Sequence, residues 1–309
     1  MKKLTEAFNS LPINLNQIEL HLSSSDAHLQ NSRGVDVRTQ KTNAFLQIVV
    51  TTEGSSGEQE YLYSQNFGAL KQIDPEQIAA CCATMVRDQA DAVTTKSFSG
   101  PVLLSGPALT EFFSPHIDLS PLIAHASARL AHMQLSSYRK GRPILKSTKG
   151  DRLTLISNPL IPFNPGSSRF DADGVPSRIL TLVDRGMFCG WFASQRYAHY
   201  LDVPATGSLG CIQVGLGSRA ESSLRDGCYA EVVSLSSFTP NSISGDFSAE
   251  VRLGYFHKNG KKYPFRGGLF SGNVFDLMKH VYFSNSPITA DGYCGPSLVR
   301  FEKGIISGE

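Results

Sequence analysis

The stretch "SGDFSAEVRLGYFHKNGKKYPFRGGLFSGN", Ser244 to Asn273, constrains the fold more than any other part of the chain. Residues suited to strands run up to Asn259-Gly260 and resume after it, and this dipeptide supplies the two positive-φ residues that a two-residue hairpin turn needs. Phe256 and Tyr263 are expected to pair across it. The chain keeps the same habit from Asp151 onward. "DRLTLIS" and "SRILTLVDRGMFCGWFAS" are strand-like runs punctuated by Gly, Asp and Asn, with short helices expected near Gln195 to Tyr200 and Val274 to Val281. The second half is therefore expected to be mainly antiparallel β.

The first half mixes helices with strands. "NSRGVDVRTQKTNAFLQIVVTT" (Asn31 to Thr52) predicts strand, turn, strand, ending at the Gly/Ser-rich "EGSSGEQ". A helix follows, with Asp74 as cap, Pro75 at its first position and Gln77 completing a capping-box-like start. Ile78, Cys82, Met85, Val86 and Val93 lie at helical spacing on one face, with Gln89 the polar exception; Cys81 and Cys82 read as small core residues. Pro101 to Leu104 predicts a strand, and a second helix is expected from a Ser120 cap with Pro121 behind it to about Leu135. "TEFFSPHIDLS" between them reads as a connecting loop.

Together these segments predict an α+β fold, an N-terminal strand-helix region followed by a mainly antiparallel β domain of sandwich or barrel type. The break at "SFSGP" places the boundary so that 1–98 and 99–309 form the two domains.

Composition narrows the function classes. Apolar residues make up 41% and charged residues 18%, as in an ordinary globular protein. With 29 Lys+Arg against 27 Asp+Glu the net charge is +2, too small to announce a nucleic-acid partner. Neither an apolar run of about 18 residues nor a signal-peptide core after Met1-Lys2-Lys3 is present, so no membrane role is expected. Six scattered cysteines without a C-x-x-C pair suit reduced thiols in a cytoplasmic protein.

The common catalytic signatures are missing: H-E-x-x-H, G-x-S-x-G and the phosphate-loop motif do not occur. His125 and His132 share the second predicted helix, with Arg129 between them. Seven residues separate their backbones by ~10 Å along a helix axis, while each ligand of one zinc must come within ~2.1 Å of it. They make a poor metal pair and read as a polar stripe. Asp171 and Asp173 in "RFDADGVP" could form an acid/base couple, but Asp before Gly-Val-Pro is ordinary turn chemistry. Basic residues cluster in Tyr138 to Arg152 and again in Arg252 to Arg266. Either cluster could hold an acidic peptide or a phosphate backbone, or simply solvate a face.

Four blocks in order, "FDADGVPSRILTLVDRGMF" (Phe170 to Phe188), "YAHYLDVPATG" (Tyr197 to Gly207), the Ser244 to Met278 segment and "CGPSLVRFEKGIISG" (Cys294 to Gly308), resemble the TldD/TldE family, whose TldE member is also called PmbA. The upstream "NSRGVDVRTQKTNAFLQIVV" through "PVLLSGPAL" is similar to the family's middle region. Members are usually longer at the N-terminus, so the chain is expected to start partway into the family's first domain, with 1–98 a shortened version of it.

In that family TldD is a metallopeptidase with an H-E-x-x-x-H helix and a later Cys as zinc ligand, and TldE is its partner with an incomplete motif. The resemblance places the motif on "SARLAH", Ser127 to His132. His132 is kept, but Ser127 stands in place of the first ligand and Ala128 in place of the general base. Cys294 matches the late Cys, and "CGPSLV" is closest to the TldE form.

The resemblance thus implies a non-catalytic TldE/PmbA-like subunit, with no metal of its own, that pairs with a TldD-like subunit carrying the zinc. Together they would process or mature unfolded or extended peptides, among them ribosomally made natural products. Arg139, Lys140 and Arg142 are the candidate substrate-binding residues. Two alternatives remain: catalysis by Cys294 as nucleophile with a histidine such as His132 as base, or a nucleic-acid-associated regulator resting on the basic clusters.

Overall fold

The computed structural model describes residues 1–54, 57–113, 120–236 and 238–308. After α1 (Lys2–Phe8) come β1 (Asn14–Gln30), β2 (Asp36–Gly54) and β3 (Gly57–Phe67), which form an antiparallel sheet in that order. The expected strand-turn-strand from Asn31 is corrected. Asn31 Oδ1 accepts the N–H groups of Arg33 and Val35 to make the turn, and everything from Asp36 to Gly54 is one strand. The strand before it, β1, escaped notice because its outer half, "HLSSSDAHLQ", is almost wholly exposed and shows no alternation of buried and exposed positions. Ser55 and Ser56 of the expected turn lie outside the described residues.

α2 (Pro75–Ala90) starts as its sequence predicts: Asp74 Oδ1 accepts the Gln77 N–H at 3.0 Å and Pro75 takes the first position. Ile78, Cys82, Met85 and Val86 are buried in one core with Leu46, Ile48 and Val50 of β2. Val93 is not on that face. The helix stops at Ala90, and Val93 lies exposed in the short strand β4 (Val93–Thr94).

β5 (Phe98–Leu104) begins at the expected domain boundary and leads into α3 (Gly106–Phe113). Thr110 to Phe113, read as loop, are the end of this helix, because Phe112 packs on Phe301 and Phe113 stacks on Tyr293. Residues 114–119 of that segment lie outside the described residues. The single helix expected from Ser120 to Leu135 is two short ones, α4 (Pro121–Ala124) and α5 (Ala128–His132). Between them Ser127 is extended and forms a bridge with Phe192, so the helical ladder cannot pass through it.

The rest is mainly antiparallel strand: β6 (Leu155–Asn158), β7 (Leu180–Asp184), β8 (Met187–Phe188), then α6 (Gln195–Leu201), β9 (Cys211–Val214), α7 (Glu221–Leu224) and β10 (Tyr229–Leu235). The hairpin follows as β11 (Asp246–Lys258) and β12 (Lys261–Arg266), then β13 (Leu269–Asn273), α8 (Val274–Met278), β14 (Val281–Phe283), β15 (Pro287–Ala290), β16 (Tyr293–Pro296) and β17 (Val299–Ser307). Asn259 and Gly260 take φ of 53° and 73°, and Phe256 sits opposite Tyr263, as the sequence predicts.

Strands β10, β5, β17, β13 and β11 are hydrogen-bonded in that order, and β10 also pairs with β11, which closes them into a barrel-like ring. A second sheet runs β15-β16-β9-β6-β7-β8. The large core lies among these strands, α3 and α4. β11 serves both cores: Phe247, Ala249 and Val251 face the large one, while Leu253 and Tyr255 complete the core under α2. Among the described residues no helix is long and apolar enough to cross a membrane.

Candidate functional site

Ser127 to His132 form a single short turn of helix. Ser127 is the N-cap, its Oγ accepting the Arg129 N–H at 3.1 Å, so the position that the resemblance gives to a first metal ligand holds a capping hydroxyl. Ala128 is 0% exposed, and its N–H donates to the Phe192 carbonyl at 2.9 Å. A carboxylate there would be buried without room or partner. The helix ends when Gln134 turns to φ 60° and the Leu135 N–H returns to the Leu130 carbonyl, a left-handed stop with which the expected extension to Leu135 did not reckon.

The two histidines part company. His125 is 3% exposed; its Nε2–H donates to the Ile243 carbonyl at 2.8 Å and its Nδ1 accepts the Ser137 N–H at 2.9 Å. Burial holds its pKa below the ordinary histidine value, against the opposing pull of the Ile243 carbonyl. His132 lies exposed at the end of α5, stacked on Tyr200 at 4.8 Å with Tyr197 at 6.0 Å. Met133 and Leu135 beside it, and Tyr200, are exposed apolar groups. The polar stripe expected along one helix is therefore one core histidine and one aromatic-backed surface histidine.

The basic segment follows α5 along the chain. The Gly141 N–H donates to the Phe188 carbonyl and the Phe188 N–H to the Arg142 carbonyl, pinning the turn Arg139–Arg142 to β8. Arg139 folds back onto the carbonyls of Ser136 and Tyr138, each at 2.7 Å. Lys140 does not. It joins Arg178 at a cavity of about 250 Å³ whose walls are Leu180, Trp191, Val203 and Pro204. Arg178 already donates one Nη2 hydrogen to the Ala205 carbonyl, and its remaining N–H groups, with Lys140, over an apolar floor suit a carboxylate joined to an apolar group. Arg178 and Trp191 carried no motif that sequence reasoning could single out; only the fold brings them to Lys140.

Cys294 lies in β16, towards the other end of the sheet that holds β7 and β8. Its sulfur is 3.2 Å from Cys211 Sγ and 3.5 Å from Thr289 Oγ1. The Cys211 thiol, by donating to it, pulls the Cys294 thiol below the ordinary cysteine value, against the effect of burial. The neighbours of its sulfur are thus the Cys211 thiol and the Thr289 hydroxyl, while His125 and His132 are engaged as described. Asp171 makes the predicted turn, its Oδ1 accepting the N–H groups of Asp173 and Val175, each at 2.9 Å. Among the described residues no three His, Cys, Asp or Glu side chains gather, and a capping serine, a buried alanine and a stacked histidine do not fit a zinc ion.

Residues 99–308 match the model of the PmbA/TldA metallopeptidase C-terminal domain. The chain belongs to the PmbA/TldD family. It is 26% identical over 286 residues to an uncharacterised protein of Methanocaldococcus jannaschii, covering 88% of this chain and 65% of that protein. With the metalloprotease PmbA of Escherichia coli O157:H7 it shares 24% over 243 residues, 75% of this chain and 51% of the other. The chain therefore spans less than two thirds of these relatives. In fold it is similar to TldE from Thermococcus kodakarensis, with a TM-score of 0.80 at 18% identity over 99% of this chain and 72% of that one. A Thermotoga maritima protein solved as a candidate modulator of a DNA gyrase superposes with a TM-score of 0.83 at 19% identity, over 99% and 72% of the two chains.

Proposed function

We propose that this chain is the non-catalytic, TldE/PmbA-like subunit of a cytoplasmic pair, whose TldD-like partner carries the zinc and the peptidase chemistry. The observation that carries the reading is the state of α5. The residue in the place of a general base is Ala128, wholly buried, and the residue in the place of the first ligand is Ser127, engaged as a helix cap. Neither can activate water. The chain's contribution is then to shape the groove for an unfolded peptide, with Lys140 and Arg178 at the Trp191 cavity holding its carboxylate-bearing part. Peptide maturation, including that of ribosomally made natural products, is the setting such a pair suits.

The test is reconstitution. The chain alone, mixed with an unfolded casein-type substrate, is expected to leave it intact; adding the TldD-like subunit is expected to give chelator-sensitive cleavage and a stable heteromer on gel filtration. Cleavage by the isolated chain, surviving chelation, would overturn the reading.

A further inference from the structure

Two of the six free cysteines lie within reach of each other although the sequence separates them widely. Cys211 opens β9 and Cys294 lies in β16, and these strands run side by side in parallel, with Cys294 in register with Gln213. Both side chains emerge on the same face, because Cys211 and Gln213 are two apart on one strand. Their sulfurs stand 3.2 Å apart.

The two thiols differ in their surroundings. Cys211 is buried, with the Asn164 side chain in hydrogen-bonding reach of its sulfur. Cys294 is partly exposed and has two donors on its sulfur, the Cys211 thiol and the Thr289 hydroxyl. A partly exposed, donor-stabilised sulfur beside a shielded second thiol is the arrangement in which a hydroperoxide is reduced and the product trapped as a disulfide.

We propose that Cys211 and Cys294 form a reversible redox couple, in which Cys294 reacts with a hydroperoxide and Cys211 resolves the product into a Cys211–Cys294 disulfide. The Cys294 thiolate attacks the terminal peroxide oxygen. The S–O bond forms and the O–O bond breaks, sulfur loses two electrons to the peroxide, and the departing alkoxide (hydroxide, when the oxidant is hydrogen peroxide) takes the proton that Cys294 gave up and leaves as the alcohol (or water). Cys211 then attacks the Cys294 sulfenic sulfur; the S–S bond forms, the S–O bond breaks, and the hydroxide takes the Cys211 proton to leave as water.

The order follows from the pair's coupling. The Cys211 thiol is held up chiefly by its hydrogen bond to Cys294 and then by burial, with Asn164 pulling the other way. Once Cys294 is a neutral sulfenic acid, the anion that kept Cys211 protonated is gone. Closing the bond needs the sulfurs to draw in from 3.2 Å to about 2.05 Å, a shift within the reach of two neighbouring strands. Reduction by a small dithiol restores both thiols.

This inference stands apart from the peptide-subunit reading and is tested on the chain alone. The reduced protein is treated with one equivalent of hydrogen peroxide, and its peptides are mapped by mass spectrometry without reductant. Two of the six thiols are expected to disappear, the Cys211 and Cys294 peptides emerging as one cross-linked species that has lost two hydrogens and is split by dithiothreitol. In Cys211→Ala the cross-link is expected to vanish and a dimedone adduct to appear on Cys294. In Cys294→Ser, Cys211 is expected to stay a thiol. Oxidation of the exposed Cys81 or Cys228 ahead of Cys294 would overturn the proposal, and so would a wild-type Cys294 that proceeds to sulfinic acid without a cross-link.

Discussion

The imidazole of His125 holds the backbone of Ser137: its Nδ1 accepts that N–H at 2.9 Å while its Nε2–H donates to the Ile243 carbonyl at 2.8 Å. A protonated ring has no acceptor left, so the fold needs the neutral form. Its folded pKa lies below the unfolded value near 6.5. Above that value both states are neutral and the full stability is present. As pH falls through it, the unfolded chain takes the proton first and stability is lost. His125→Gln is expected to cost about 1–3 kcal/mol at pH 7.5 through a buried group left unpaired. Its melting temperature is expected to fall less than that of the wild type between pH 7.5 and 5, and an equal fall in both proteins would refute the assignment.

Glu111 works in the opposite sense. Its Oε2 is buried with no hydrogen-bond partner among the described residues, and burial, helped by Asp291 and opposed by Arg252, pushes its carboxyl up to about 7. A raised carboxyl pKa contributes stability at low pH that is lost as pH rises through the folded value. Glu111→Gln is expected to stabilise the chain at pH 8 by on the order of 1 kcal/mol, after discounting for the part that solvent reaches, and to change little at pH 5. Denaturant melts at the two pH values check this.

Gly260 at the hairpin tip has φ 73° and open space around its Cα, so a side chain there meets strain and no clash. Gly260→Ala is expected to cost about 1–2 kcal/mol, with the strand pairing unchanged by circular dichroism. A neutral result would mean that the turn is not held in the left-handed region.

Rebuilding the metallopeptidase motif should fail. The double change Ser127→His with Ala128→Glu restores the letters H-E-x-x-x-H, but it removes a helix cap and drives a carboxylate into a site that is 0% exposed. The variant is expected to lose ~2 kcal/mol or more and to bind no zinc by metal analysis. A stable, zinc-loaded variant would show that this helix can still open into a metal site.

At the Trp191 cavity, Lys140→Ala with Arg178→Ala is expected to lower kcat/KM of the reconstituted pair several-fold, more at low salt than at high, with the heteromer intact on gel filtration. Arg139→Ala is expected to act through its own turn instead, since its guanidinium serves the Ser136 and Tyr138 carbonyls. Equal effects of the two changes on peptide use would argue against the cavity as the docking point.

What the sequence made legible is what local chemistry decides. Asp74-Pro75 marked a helix start, Asn259-Gly260 a turn, and Asp171 a loop that closes on its own backbone, because each needs only its near neighbours. The misreadings arose where distant residues decide. Phe192 breaks the helix at Ser127 from far along the chain, Phe301 and Tyr293 draw Phe112 and Phe113 into a helix, and the outer half of β1 is a strand only because β2 pairs with it. The candidate site divides in the same way. Lys140 was visible within a basic run, whereas Arg178, Trp191 and the partnership of Cys211 with Cys294 exist only in three dimensions.

The double duty of β11 bears on how the chain is made. The core under α2 includes Leu46, Ile48, Val50 and Cys82 from the early part of the chain, yet it is finished by Leu253 and Tyr255. On the ribosome that apolar surface has no lid until residue 255 has emerged, which at ~5–20 residues per second leaves it open for roughly ten seconds or more. Through that interval it offers a chaperone an apolar face, and a premature stop before the hairpin would release the core without Leu253 and Tyr255.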